Sequence, residues 1–234
     1  MAFTFSNVSN QLVNCNSASV INNLSPFVWA GWIRCNGLGP ANAGKFADKN
    51  QHTAQLGTGA VFRFSVAHGS INMLLVTSRG TVDTSGNVWD HWGFYYSGSN
   101  AATSNAIYKN GSTVPYSLQR NGSGTLSADG NSNFIIGNLA SGTRPFFGQL
   151  EEVCVYNAEL STADWLLLST SKVRGMPLQI QPQSLIGYWP MDEVPDGVGA
   201  SGVALVRDRS ANTNHGTPGA GNPVGFASPN LSSP

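Results

Sequence analysis

The chain has 234 residues, 12 basic and 12 acidic side chains, no net charge, and only 10% charged residues. That balance excludes the broad electrostatic footprint by which a protein holds nucleic acid or an acidic membrane surface. The 27 glycines and 12 prolines, with many Ser, Asn and Thr, favour strands and turns over helix.

The first residues, Met1-Ala2-Phe3-Thr4-Phe5-Ser6, carry neither the basic nor the apolar region of a signal peptide, so the expectation is synthesis in the cytoplasm. No run reaches the about 18 apolar residues of a membrane helix, and no membrane insertion is expected. Cys15, Cys35 and Cys154 are odd in number and share no C-x-x-C spacing. They read as three buried thiols rather than as a disulfide framework or a zinc site.

In chain order, residues 2–5 and 11–15 predict two short strands. Residues 27–34, introduced by Pro26, are apolar on both period-2 faces and predict a central strand. Residues 45–49 predict a short edge strand, and 61–66 with 71–76 a strand pair. Residues 89–96 form the most aromatic strand, with Trp92, Phe94 and Tyr96 on one face and Trp89, His91, Gly93 and Tyr95 on the other. Asn110-Gly111 between 106–109 and 113–117 is a strong hairpin signal.

The stretch 148–165 predicts a strand that runs into a helix at about 162–170. Ser161 and Asp164 fit a capping box, and Leu160 is placed to staple onto Trp165. Apolar alternation breaks at Glu151-Glu152, which predicts a bulge or bend. After a Pro- and Gln-containing linker, residues 185–190 give a further strand and 208–216 an oxygen-rich loop. Residues 216–234 are Pro, Gly, Ser and Asn, with Val224, Phe226 and Leu231 almost the only apolar side chains. Such a tail stays ordered only where a surface holds it, its own sandwich or a neighbouring chain. The fold expected is all-β: an antiparallel two-sheet jelly-roll sandwich with one short helix. Residues 1–215 form its single domain and 216–234 an extended tail.

Several segments resemble the laminin-G-like, or concanavalin A-like, lectin and glucanase sandwiches. Residues 146–161 are similar to the family's F-x-G-x-I-D-E-V-x-I-Y-N-x-x-L-S segment, with Glu151 where the family usually has Asp. Residues 89–99 resemble its W-x-H-V-A-V-T-Y-D-G-S strand, 107–111 its I-Y-V-N-G hairpin, 136–138 its I-G-N strand, and 25–34 its P-F-T-V-S-A-W-V-R strand. Residues 188–193 and 208–216 resemble Y-W-P-L-D-E and D-x-S-G-N-G-N-H-G segments that begin the domain in most members. Here they follow it, so the resemblance implies a circular permutation, with 185–215 supplying the displaced strand and loop.

The resembling glucanases carry an E-x-D-x-x-E type run, absent here, and adjacent Glu151 and Glu152 point to opposite faces of a regular strand. No enzymatic activity is expected. Asp208, Asn212 and Asn214 offer oxygens in one tight loop, and the resemblance implies that Glu151 or Glu152 could complete a calcium site. The competing reading gives these residues to Asx-turns and ion pairs. Either way, the acids of the strand are expected to meet the Asp208 loop. Trp89, Tyr95, Tyr96 and Tyr116 are candidates for glycan contact, with the sandwich core as the alternative place for each ring.

These readings lead to a non-enzymatic binding or structural protein on a virion surface, decorating a capsid or tail. That placement rests on a resemblance to bacteriophage and environmental sequences. Its partners would be virion coat proteins or other copies of the chain, engaged through the C-terminal tail. The alternative is a free carbohydrate-binding lectin module, and a remote one a glycoside hydrolase.

Overall fold

The structure, a computed structural model, describes residues 1–234 apart from 51, 203–204, 228–230 and 232–234. Its strands are β1 (Ala2–Ser6), β2 (Val13–Asn14), β3 (Phe27–Cys35), β4 (Lys45–Lys49), β5 (His52–Gly57), β6 (Val61–Val66), β7 (Met73–Thr77) and β8 (Asp90–Tyr96). The chain continues with β9 (Ala106–Lys109), β10 (Ser112–Thr113), β11 (Tyr116–Arg120), β12 (Phe134–Ile136) and β13 (Phe147–Tyr156). Helix α1 (Thr162–Thr170) precedes β14 (Leu185–Trp189), β15 (Thr217–Pro218) and β16 (Val224–Phe226).

The strands make two antiparallel sheets of eight. The first runs β10-β9-β8-β3-β13-β1-β16, with β14 also paired to β13; the second runs β11-β7-β6-β5-β4-β12-β2-β15. This is the expected β-sandwich with its one α-helix. Between the sheets lies an aromatic core in which Trp29, Trp92 and Phe94 meet Phe62, Phe64 and Phe134. Phe62 and Phe94 stand edge-on, 5.2 Å between centroids.

Strand β3 is central, flanked by β8 and β13, and both its faces are covered. The reason is α1. Ser161 Oγ accepts the Asp164 N–H at 3.2 Å, and the Asp164 carboxylate accepts the Ser161 N–H at 2.9 Å, so the predicted capping box forms. The cap aims Trp165 and Leu168 at the outer face of the first sheet. There they join Val28, Ala30, Tyr95, Tyr156, Leu160 and Tyr188 in a second apolar cluster. The middle of the first sheet, β3, β8 and β13, is therefore buried on both faces. The second keeps one face open, as antiparallel sheets commonly do.

Two sequence expectations need revision. β4 is interior rather than an edge, because β12, far along the chain, pairs with its free side through Ile135↔Asp48. Residues 217–226, read from composition as part of an extended arm, supply strands to both sheets: β15 lies against β2, and β16 against β1 through Ala2↔Phe226. The Arg34 guanidinium covers the Phe226 ring at 5.2 Å, and Leu231 is also buried. The few apolar side chains of the tail are the ones it lays on the sandwich.

Candidate functional site

Along β5 and β6 the side chains alternate cleanly. His52, Ala54 and Leu56, then Phe62, Phe64 and Val66, are buried inward, while Thr53, Gln55, Arg63 and Ser65 face out. The register sets these outward groups in rows: Asp48↔Thr53↔Ser65↔Leu74↔Arg120, and beside it Lys45↔Gln55↔Arg63. Cross-strand neighbours on one face lie about 4.5–5.5 Å apart, the spacing at which adjacent side chains act on one ligand. Lys45, Thr53, Gln55, Arg63, Ser65 and Leu74, together with Asn50 and Asn72, line an open groove of about 360 Å³.

A second hollow of about 500 Å³ adjoins it, sharing Asn50 and walled by Asp48, Asn131, Ser132, Asn133, Leu139 and Ser141. Between the two, Lys45 Nζ meets Asp48 Oδ1 at 3.0 Å with both side chains nearly buried. Burial pushes the Asp48 carboxyl up to about 6, against the pull of Lys45. The groove thus offers amides, hydroxyls and a cationic side chain on rigid strands, and no aromatic ring lines it. Sequence reading passed over these residues, although the period-2 polar positions in His52–Gly57 and Val61–Val66 are their visible trace.

The four aromatic candidates lie elsewhere. Trp89 is half-buried just before β8. Tyr95 belongs to the cluster beneath α1, and Tyr96 is fully buried against Phe27 at 5.4 Å. Tyr116, half-buried, accepts the Ile107 N–H at 2.7 Å. None of them lines the groove. Adjacent Tyr95 and Tyr96 are both inside because β8 is covered on two sides, so the core reading wins for both.

Strand β13 changes partner along one edge: Leu150 pairs with Phe3 of β1, whereas Val153 pairs with Trp189 of β14. Glu151 and Glu152 sit at that seam, where the register against β3 slips and Glu152 takes φ of 53°. The bulge turns both carboxylates to one guanidinium, instead of to opposite faces. Arg174 lies 3.1 Å from Glu151 Oε2 and 3.8 Å from Glu152 Oε1. Glu152 also accepts from the Tyr188 hydroxyl at 2.6 Å and the Gly175 N–H at 2.9 Å.

Asp208 accepts three backbone N–H groups, from Tyr188 at 2.9 Å and from Ser210 and Asn214 at 2.8 Å. Asn212 donates to the Ile186 carbonyl at 3.2 Å, and the Asn214 carbonyl accepts the Trp189 indole N–H at 3.0 Å. Acids and loop are linked through Tyr188, whose N–H bonds Asp208 while its hydroxyl bonds Glu152. Calcium requires about 6–8 oxygens with open carboxylate lone pairs. Here both Asp208 oxygens accept amides, and the length of the Tyr188 side chain stands between Asp208 and Glu152, so loop and acids do not converge on one ion. Among the described residues no three His, Cys, Asp or Glu side chains gather as a cation site. Melting temperature is accordingly expected to be the same in excess calcium and in chelator. A rise of several degrees with calcium, the linkage signature of a ligand bound by the folded state, would contradict this.

The fold and the groove on its open sheet define a lectin-like β-sandwich. The profile described as the concanavalin A-like lectin/glucanases superfamily matches residues 7–164, more than half of the chain, and the protein belongs to that family. No curated protein sequence matches it. Among solved structures it is similar to a candidate carbohydrate-binding protein from Bacteroides ovatus ATCC 8483, with a TM-score of 0.55 and 17% identity over 96% of this chain and 61% of that one. It therefore spans about three fifths of that protein's length. It is also similar to the CBM40 of Ruminococcus gnavus IT-sialidase, with a TM-score of 0.51 and 12% identity over 72% of this chain and 98% of that one. At such identities the likeness is one of fold.

Proposed function

We propose that the protein is a non-enzymatic carbohydrate-binding module whose ligand lies in the groove on the open face of the second sheet. The observation that carries this is the two adjacent rows, Thr53↔Ser65 and Gln55↔Arg63, projecting from paired strands beside the Asn50 and Asn72 amides. Sugar hydroxyls both donate and accept, and fixed amides and hydroxyls on neighbouring strands match that pattern without reorganisation. Carbohydrate binding is also the role named for the Bacteroides ovatus structure. Glycoside hydrolysis calls for two carboxylates about 5–9.5 Å apart across the scissile bond. Among the described residues the groove and its neighbouring hollow present one, Asp48, and it is held by Lys45.

Circular permutation and display on a virion surface are the finer parts of this proposal. Permutation is supported by the pairing of β1 with β16, which sets the two ends of the described chain side by side, and by the place of β14 on β13. For display, the tail through Phe226 is already engaged with β1 and β2, so attachment would use another surface.

Titration calorimetry after a glycan-array screen tests the binding site. Gln55→Ala and Thr53→Ala, each removing one hydrogen-bonding partner, are expected to weaken saccharide binding by about three- to ten-fold apiece. Stability should hardly change, because both side chains face outward. Binding unaffected in the double variant, or no saccharide bound at all, would refute the assignment.

A further inference from the structure

Resting on that reading, we propose that the saccharide is anionic, a uronate or sulfated glycan whose acid groups are taken by Arg63, with Arg79 and Arg120 on either side. Residues 50–82 and 91–128 contain no Asp or Glu, and β5, β6, β7 and β11 are built from them. By contrast, eight of the twelve carboxylates fall between residues 151 and 208, on the first sheet and the segments around it. A chain of zero net charge thus keeps the middle of its open sheet free of acids.

Arg63 stands at the centre of that face. Its exposed side chain borders both the groove and a further hollow of about 340 Å³, which it shares with Arg79. Arg120 lies on the edge strand, opposite Leu74. Among the described residues, none of the three has a carboxylate within ion-pair distance; the contact of Arg120 is to the Asn72 carbonyl at 3.3 Å. By contrast, Lys45 is paired with Asp48, Arg174 with Glu151 and Glu152, and Arg209 with Asp192.

The strands also make room for two of these side chains. A Cβ at Gly57 would stand 3.0 Å from Arg63 Cδ, and one at Gly59 would stand 3.1 Å from Arg79 Nε. Glycine at both positions lets the two stems lie close across the β5–β6 turn. A guanidinium on such a support grips carboxylate or sulfate in bidentate fashion, and an acid-free face steers anions towards it. The absence of an aromatic ring from the groove favours a saccharide over single-stranded nucleic acid, which binds by stacking its bases.

The test uses the full chain with oligogalacturonate, its fully methyl-esterified neutral form, a heparin-derived oligosaccharide and single-stranded DNA, in low and high salt. Oligogalacturonate is expected to bind at least about ten-fold more tightly than its ester, with the preference shrinking as salt rises. Preference for heparin instead would assign sulfate rather than carboxylate as the anion. Arg63→Ala should abolish most of the preference and Arg63→Lys retain part of it, both with wild-type melting temperatures. Equal affinity for acid and ester, unchanged in Arg63→Ala, overturns the anionic assignment and leaves the lectin reading standing. Stronger binding of DNA than of any saccharide also overturns it. No binding of any charged or neutral saccharide sinks both.

Discussion

An Arg174→Ala variant is expected to lose about 3–5 kcal/mol of stability at neutral pH, the usual consequence of stranding buried charge by removing its partner. For a domain of this size that corresponds to a melting temperature lower by roughly 6–20 °C. Glu151 is 0% and Glu152 3% exposed, and Arg174 faces both at the seam where β13 exchanges β1 for β14. The guanidinium also donates to the Met1 carbonyl at 2.7 Å, so one side chain joins the N-terminal strand to the bulge.

The loss should depend on pH, and its sign follows from Glu152. Burial raises its carboxyl above the ordinary value, while the Tyr188 hydroxyl, the Gly175 N–H and Arg174 pull the other way. A carboxyl raised in the folded state holds its proton to higher pH than in the unfolded chain. Its ionisation therefore erodes stability as pH rises past the ordinary glutamate value. Without Arg174 the carboxyl rises further and the erosion grows. Urea melts should thus show the deficit of Arg174→Ala shrinking from pH 7 towards pH 5. Adding Glu151→Gln and Glu152→Gln to that variant should recover part of the deficit at pH 7. A deficit below about 1 kcal/mol, the range of an exposed pair, would mean the cluster is solvated.

Much of this architecture is legible where a signal is local. Asn110 and Gly111 both take positive φ and close the β9–β10 hairpin; Ser161 and Asp164 cap α1; the broken alternation at Glu151-Glu152 is the bulge. What escaped depends on partners distant in the chain. Lys45–Lys49 looks like an edge until β12 arrives, and the Pro/Gly-rich tail looks unstructured until β1 and β2 supply its hydrogen bonds. For the site, the difficulty was one of kind. The aromatic alternation of β8 suggests an exposed platform, but α1 covers its outer face, so alternation there separates two buried layers. The face that stays open carries Thr53, Gln55, Arg63 and Ser65, residue types common on any solvated strand. Only the register, and the missing acids around Arg63, single them out.

Trp165 makes the second large prediction, because α1 is held on the first sheet chiefly through this ring. It is 1% exposed, stacked on Tyr108 at 4.2 Å and 15°, and edge-on to His91 at 6.5 Å. Burial pushes the His91 imidazole down to about 3, so the ring that Trp165 meets is neutral at physiological pH. Beneath it lies Gly93, whose added Cβ would fall 2.1 Å from the indole. Trp165→Ala is expected to cost about 3–5 kcal/mol, the range for deleting a fully buried tryptophan. Gly93→Val should destabilise by ejecting the same indole rather than by disturbing β8, since valine suits a strand. The two changes should therefore not add. Once the indole is gone, valine at position 93 meets open space, and the double variant should lie close to Trp165→Ala alone. Denaturation of the four proteins gives the coupling directly. Full additivity would show that Gly93 serves the strand itself and not the docking of the helix. Saccharide affinity, measured on the folded fraction, should survive all three changes, because the groove lies on the other sheet.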